Sequence, residues 1–244
     1  MNSHNKQFKQ TLNARRFWFA LGLVLPSSAE SEPVRFGLLN WALCVHDSFE
    51  VHMEEIYKVL SREVTELHYR WIVYREVYAQ GEDVTKLLNE NGASFFYFVD
   101  FLMLDHVALT FSKLTDPNRQ GSNDNLSLKQ LVVCANDQKN TLLAQELSSD
   151  FDTLKLACGK FRLLRNKRIA HADLIHSLGQ AKEPLSGFSR EYVEEALKLL
   201  RLYMNKFESK TFDKPIAYEC LVTPIGAGGS ALIEALKLAD KHRK

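Results

Sequence analysis

Between about residues 51 and 80 the chain reads VHMEEIYKVLSREVTELHYRWIVYREVYAQ, where Leu60, Val64, Leu67, Trp71, Tyr74 and Tyr78 recur at spacings of 4-3-4-3-4. That period predicts a long helix with one apolar seam, ended by Gly81. A short helix is expected over 83–89, broken at Asn91-Gly92. The next stretch, ASFFYFVDFLMLDHVALTFSKLTDP at 93–117, is apolar on nearly every side and reads as the central buried helix, stopped by Asp116-Pro117. A polar loop follows at 118–125, then a short helix from Ser127 through Leu131 and Val132. A long helix is predicted from about 137 to 170, with the stripe Leu147, Phe151, Leu154, Cys158 and Phe161. After a Gly/Pro/Ser loop at 179–188, Ser189 is a suitable N-cap for a helix over 190–209 whose seam is Val193, Ala196, Leu200, Tyr203 and Phe207. A Pro-containing stretch at 213–224 leads through Gly226, Gly228 and Gly229 to a last helix over about 230–242. Strands do not alternate with these helices and nothing repeats. The expected fold is all-α: an antiparallel helical bundle of about four main helices plus short helices, occupying residues 46–244.

Residues 1–45 read differently, as an N-terminal extension that packs poorly or resembles a signal. Residues 1–29 hold no acid, and Lys6, Lys9, Arg15 and Arg16 precede the apolar run FWFALGLVL, which PSSAES follows. That layout is signal-like. At nine residues the run is too short to span a bilayer, and no membrane partner is expected. Met53, opening MEEIYKVL, is a candidate internal start. The four cysteines (Cys44, Cys134, Cys158, Cys220) are widely spread with no CxxC pair, which favours a reduced compartment and a cytoplasmic protein. Export is the alternative if residues 1–29 act as a signal peptide.

Net charge changes the picture little. Thirty-one Lys plus Arg against thirty Asp plus Glu leave +1, so any nucleic-acid contact has to be local. GAGGS at 226–230 lacks the lysine and the preceding apolar strand of a phosphate-binding loop.

The chemistry concentrates in FRLLRNKRIAHADLIH at 161–176. Arg165 falls within the apolar stripe, and Arg168 lies near its edge. A guanidinium there needs a carboxylate, a carbonyl or an anionic ligand. His171, six residues on, stands about 120° round an ideal helix. One helix does not hold the pair side by side, but two copies facing each other across a two-fold axis would bring two arginines and two histidines into one cleft. Blander roles exist for each. Arg165 could pair with Asp100 or Asp105, and His171 could cap the helix end near Asp173. Asn166 could be a surface or capping residue, and Lys167 and Arg168 solvated charges near a helix C-terminus. His171 and His176 are five apart, a poor spacing for metal ligands on one helix face, and no metal or cofactor is expected. Asp105-His106 suggests a dyad, but adjacent helical residues point about 100° apart.

RNKRIAH resembles the Arg-x(4–6)-His motif of the HEPN superfamily, with a polar residue directly after the arginine. WIVYREVY at 71–78, FSKLTDP at 111–117, LSLKQLV at 126–132 and RNKRIAHADL at 165–174 follow the order seen in the HEPN branch related to abortive-infection protein U. The resemblance covers roughly residues 53–240 and implies a HEPN-like helical domain that dimerises through its motif helices. It implies a metal-independent endoribonuclease, a toxin or phage-defence component, with RNA as substrate and an antitoxin protein as a regulating partner. Arg165 and His171 would be catalytic, and Asn166 and Arg168 would bind substrate. The superfamily also includes non-catalytic modules that bind a partner protein or a nucleotide.

Overall fold

The computed structural model describes residues 49–223 and 226–243. The expected extension over 1–45 lies outside the described residues. Eight α-helices account for most of the described chain: α1 (Phe49–Tyr78), α2 (Glu82–Leu114), α3 (Lys129–Asp137), α4 (Thr141–Ala157), α5 (Gly159–Leu164), α6 (Leu174–Ser177), α7 (Arg190–Thr211) and α8 (Gly229–Arg243). The only strands among the described residues, β1 (Arg119–Gln120) and β2 (Asn123–Asp124), form a two-rung hairpin inside the predicted polar loop. The fold is the expected all-α bundle.

α1 packs against α2, α3, α7 and α8, and the pattern of its sequence explains why. Leu60, Val64, Leu67, Trp71 and Tyr74 are all buried, so the 4-3-4-3 seam is the centre of the core. Met53, the candidate internal start, lies in that core too. From the far side come the stripe of α4 and the seam of α7, Val193 through Phe207, again fully buried. Ser189 caps α7 as expected, its Oγ accepting from the Tyr192 N–H at 3.2 Å.

Two helices differ from expectation. The expected break between 83–89 and 93–117 falls at Gly92, whose non-helical φ of 153° and ψ of 56° suit glycine alone and kink α2 there. But 93–117 is not buried on all sides. Val107, Ala108, Phe111 and Leu114 enter the core, but Phe95 (62% exposed), Tyr97 (74%), Phe98 (58%), Phe101 (40%) and Leu102 (49%) face outward. By length and composition alone this helix would also suit a membrane. The second departure is the helix predicted over 137–170. It breaks at Cys158 into α4 and α5, and a π turn over Arg165–Ile169 follows.

The glycines before α8 are packing residues. A Cβ on Gly229 would lie 2.7 Å from Val77 Cγ2 and 2.8 Å from the Val73 carbonyl oxygen, and one on Gly228 would lie 2.6 Å from Glu76 Oε2. This close approach lets Glu76 accept the Gly229 N–H at 2.7 Å, so a carboxylate of α1 fills the N-terminus of α8. Gly229→Ala should therefore cost roughly 1–3 kcal/mol by overpacking, read as a lowered urea midpoint. An unchanged midpoint would show that α8 docks loosely.

His68 is the buried titratable ring of α1. Its Nδ1–H donates to the Val64 carbonyl at 2.8 Å, leaving Nε2 to face Arg201 at 3.4 Å. Burial first, and Arg201 after it, push its pKa down to about 4, against the Val64 bond and the more distant Glu219 and Glu194. The unfolded ring binds a proton near its usual value of about 6.5, which the folded ring refuses. Stability from this residue is thus complete above that pH and falls as pH drops toward 4, by about 3 kcal/mol in all. His68→Gln should flatten that part of the stability-pH curve measured by urea unfolding; a curve of unchanged slope would contradict the assignment.

Candidate active site

The motif begins where α5 meets the end of α2. Phe161 of α5 stacks on Phe111 of α2, ring centroids 4.7 Å apart and 7° from parallel. Arg162 Nη2 donates to the Thr115 carbonyl at 2.8 Å and to Thr115 Oγ1 at 2.9 Å. It thereby satisfies a carbonyl that the end of α2 leaves over. With α5 fixed in this way, the chain enters the π turn, where the Ala170 N–H donates to the Arg165 carbonyl at 2.8 Å. Single π turns concentrate at functional sites because the extra residue re-aims the side chains around it.

Arg165 donates from Nη1 to Asp116 Oδ1 at 2.9 Å, with both side chains partly buried. The partner is neither Asp100 nor Asp105. Asp100 lies against Tyr74, and Asp105 accepts from Arg168 Nη2. The Arg168 guanidinium also lies over the Phe101 ring, 4.3 Å from its centroid. Lys167 Nζ binds Asp173 Oδ2 at 2.7 Å. Lys167 and Arg168 are therefore not the free solvated charges that their place near a helix end suggested.

His171 occupies the bend after the π turn, exposed and without a partner among the described residues. It does not cap at Asp173. That carboxylate is occupied by Lys167 and by His176, whose Nδ1 is 2.7 Å away and whose N–H donates at 3.2 Å. The bonds from Lys167 and then His176 hold the Asp173 carboxyl well below the usual carboxylate range. Asn166 is exposed, with no side-chain hydrogen bond among the described residues. The structure thus sets Arg165, Asn166 and Arg168 on the π turn and His171 in the bend directly after it. Within one chain no hydrogen bond joins Arg165 to His171.

Asp105 and His106 diverge. Asp105 turns to the motif, and burial pushes its carboxyl up against the pull of Arg168. His106 accepts from Arg70 of α1, and burial, then Arg70 and Lys113, push its pKa down, which leaves a neutral ring as acceptor. No group of three or more His, Cys, Asp or Glu able to hold a metal occurs among the described residues.

Sequence reasoning missed Asp116, Phe101 and the Arg162 cap. For Asp116 a signal existed. A carboxylate at a helix C-terminus opposes the macrodipole, so a cation had to stand nearby.

A sequence profile of the HEPN family AbiU2 matches residues 50–227, well over half of the chain, and takes in the whole turn just described. The chain belongs to the AbiU2 family of HEPN proteins. No curated protein and no solved structure matches it. AbiU2 membership agrees with the all-α bundle. The AbiU2 match ends at residue 227, before α8, so the last helix stands outside the matched region while Glu76, which caps it, lies inside.

Proposed function

We propose that this AbiU2 protein is a metal-independent endoribonuclease, working as a homodimer whose two motif turns share one cleft. The observation that carries the reading is the turn itself. Arg165 is held through one N–H and keeps further donors for a phosphate, and exposed His171 stands six residues beyond it.

In the reaction, one His171 takes the proton from a ribose 2′-hydroxyl. The 2′-oxygen bonds to phosphorus, the bond from phosphorus to the 5′-oxygen breaks, and the same residue of the second copy gives that oxygen a proton. Arg165 stabilises the charge that gathers on the phosphate. Asn166 and Arg168 bind the strand on either side. In this reading the second copy docks on the outward face of α2. Phe101 ends that face and carries the Arg168 guanidinium, so apolar surface runs directly into the motif. An apolar patch of this kind marks an interaction site.

A second reading has its own support. Arg165, Lys167 and Arg168 are each matched to an acid of the same chain. That pairing suits a non-catalytic module bound by a partner protein, such as an antitoxin. The deciding assay incubates the full-length protein with varied single-stranded RNAs in EDTA. Cleavage by wild type and none by His171→Ala supports the enzyme. Intact RNA in every case leaves the binding module.

A further inference from the structure

A groove of about 260 Å³ opens beside the motif, between α1 and the end of α2. Leu60 and Leu114 lie beneath its floor, Leu126 gives it an exposed apolar wall, and Glu63, Thr110, Lys113, Asp116 and Asn125 supply its polar groups. Asp116 belongs to both places. The carboxylate that holds Arg165 at 2.9 Å also lines the groove. A strand whose phosphate lies on Arg165 therefore has an adjacent nucleoside within reach of this groove, one side chain away.

The polar groups are largely uncommitted. The side chains of Glu63 and Lys113 take part in no hydrogen bond or ion pair among the described residues, although the charges of both act on nearby His106. Asn125 donates from Nδ2 to the Pro117 carbonyl at 3.0 Å, which leaves its Oδ1 to accept. The groove thus offers a carboxylate, an ammonium and an amide oxygen beside the exposed Leu126 side chain, an apolar surface for one face of a flat ring.

We infer that the groove is a base-binding subsite of the proposed ribonuclease site, resting on that reading, and that it takes guanine. Guanine presents N1–H and the N2 amine side by side, a donor pair that one carboxylate accepts together. Its O6 and N7 are acceptors for an ammonium. Adenine and cytosine each place a bare ring nitrogen beside the amine, which a carboxylate repels. Uracil has one N–H, flanked by two carbonyls. A buried acceptor left without its donor is what makes such a site selective.

The test uses fluorescent six-residue oligouridines of 2′-O-methyl RNA, which 2′-hydroxyl attack cannot cleave, carrying one guanosine, inosine or adenosine. Anisotropy with the full-length protein should show the guanosine oligomer bound roughly 10-fold more tightly than oligouridine. Inosine, which lacks the N2 amine, should lose most of that gain. Glu63→Gln should erase the guanosine preference while keeping the remaining affinity and the circular dichroism spectrum. Equal affinities, a preference that survives Glu63→Gln, or no binding at all would overturn the inference. The two readings fail separately. RNA cleavage with no guanosine preference removes the subsite and leaves the ribonuclease. A Glu63-dependent guanosine preference without any cleavage keeps the subsite and removes the ribonuclease.

Discussion

His171→Ala is expected to abolish RNA cleavage while leaving the fold intact. The ring is exposed and bonded to nothing among the described residues, so its removal opens no cavity and strands no polar group. Its whole effect should fall on proton transfer, typically ~10²–10⁴-fold in rate. Arg165→Lys should lose a similar amount, since an ammonium cannot reproduce a planar fork that meets Asp116 on one edge and two phosphate oxygens on another. The two variants should differ in stability. Arg165→Lys loosens a partly buried ion pair and should lower the urea midpoint slightly, and His171→Ala should not. Cleavage at wild-type rate by either variant would place the chemistry elsewhere.

The second large effect is expected from Phe98→Asp on the outward face of α2. Phe98 is more than half exposed in the single chain, so the change should alter the folding of one copy by no more than about 0.5 kcal/mol. In a dimer that covers this face, the same change buries a carboxylate among aromatic rings, which is far more costly. Sedimentation should give about twice the 28.0 kDa chain mass for wild type and one chain mass for the variant, with cleavage lost together with the dimer. A variant that stays dimeric would show that another surface pairs the copies. Wild type that partitions into phospholipid vesicles through this face would assign it to a membrane instead.

The bundle was legible wherever one face of a helix meets the core. The seams of α1 and α7 and the stripe from Leu147 to Phe161 were read from spacing alone, because burial of one face imposes the 3.6 period. Reading failed where the determinant lies on another element. The break at Cys158 has one local signal, Gly159 directly after it, but the buried stripe continues through Cys158 to Phe161 across the break and masks it. The apolar surface of 93–102 looked like core because local sequence does not say whether a helix faces its own bundle or a second molecule. The motif residues were visible as a pattern, but their partners were not. Asp116 stands forty-nine positions before Arg165 and Asp105 sixty-three before Arg168, and only the packing of α5 on α2 brings them together.

The central claim is metal-independent cleavage by 2′-hydroxyl attack, and the chemistry of the product ends tests it most directly. Full-length wild type, incubated with single-stranded RNA in EDTA, should yield fragments ending in a 2′,3′-cyclic phosphate or the 3′-phosphate derived from it, each followed by a fragment with a free 5′-hydroxyl. Fragments bearing a 5′-phosphate, or cleavage that stops when metal is removed, would contradict it.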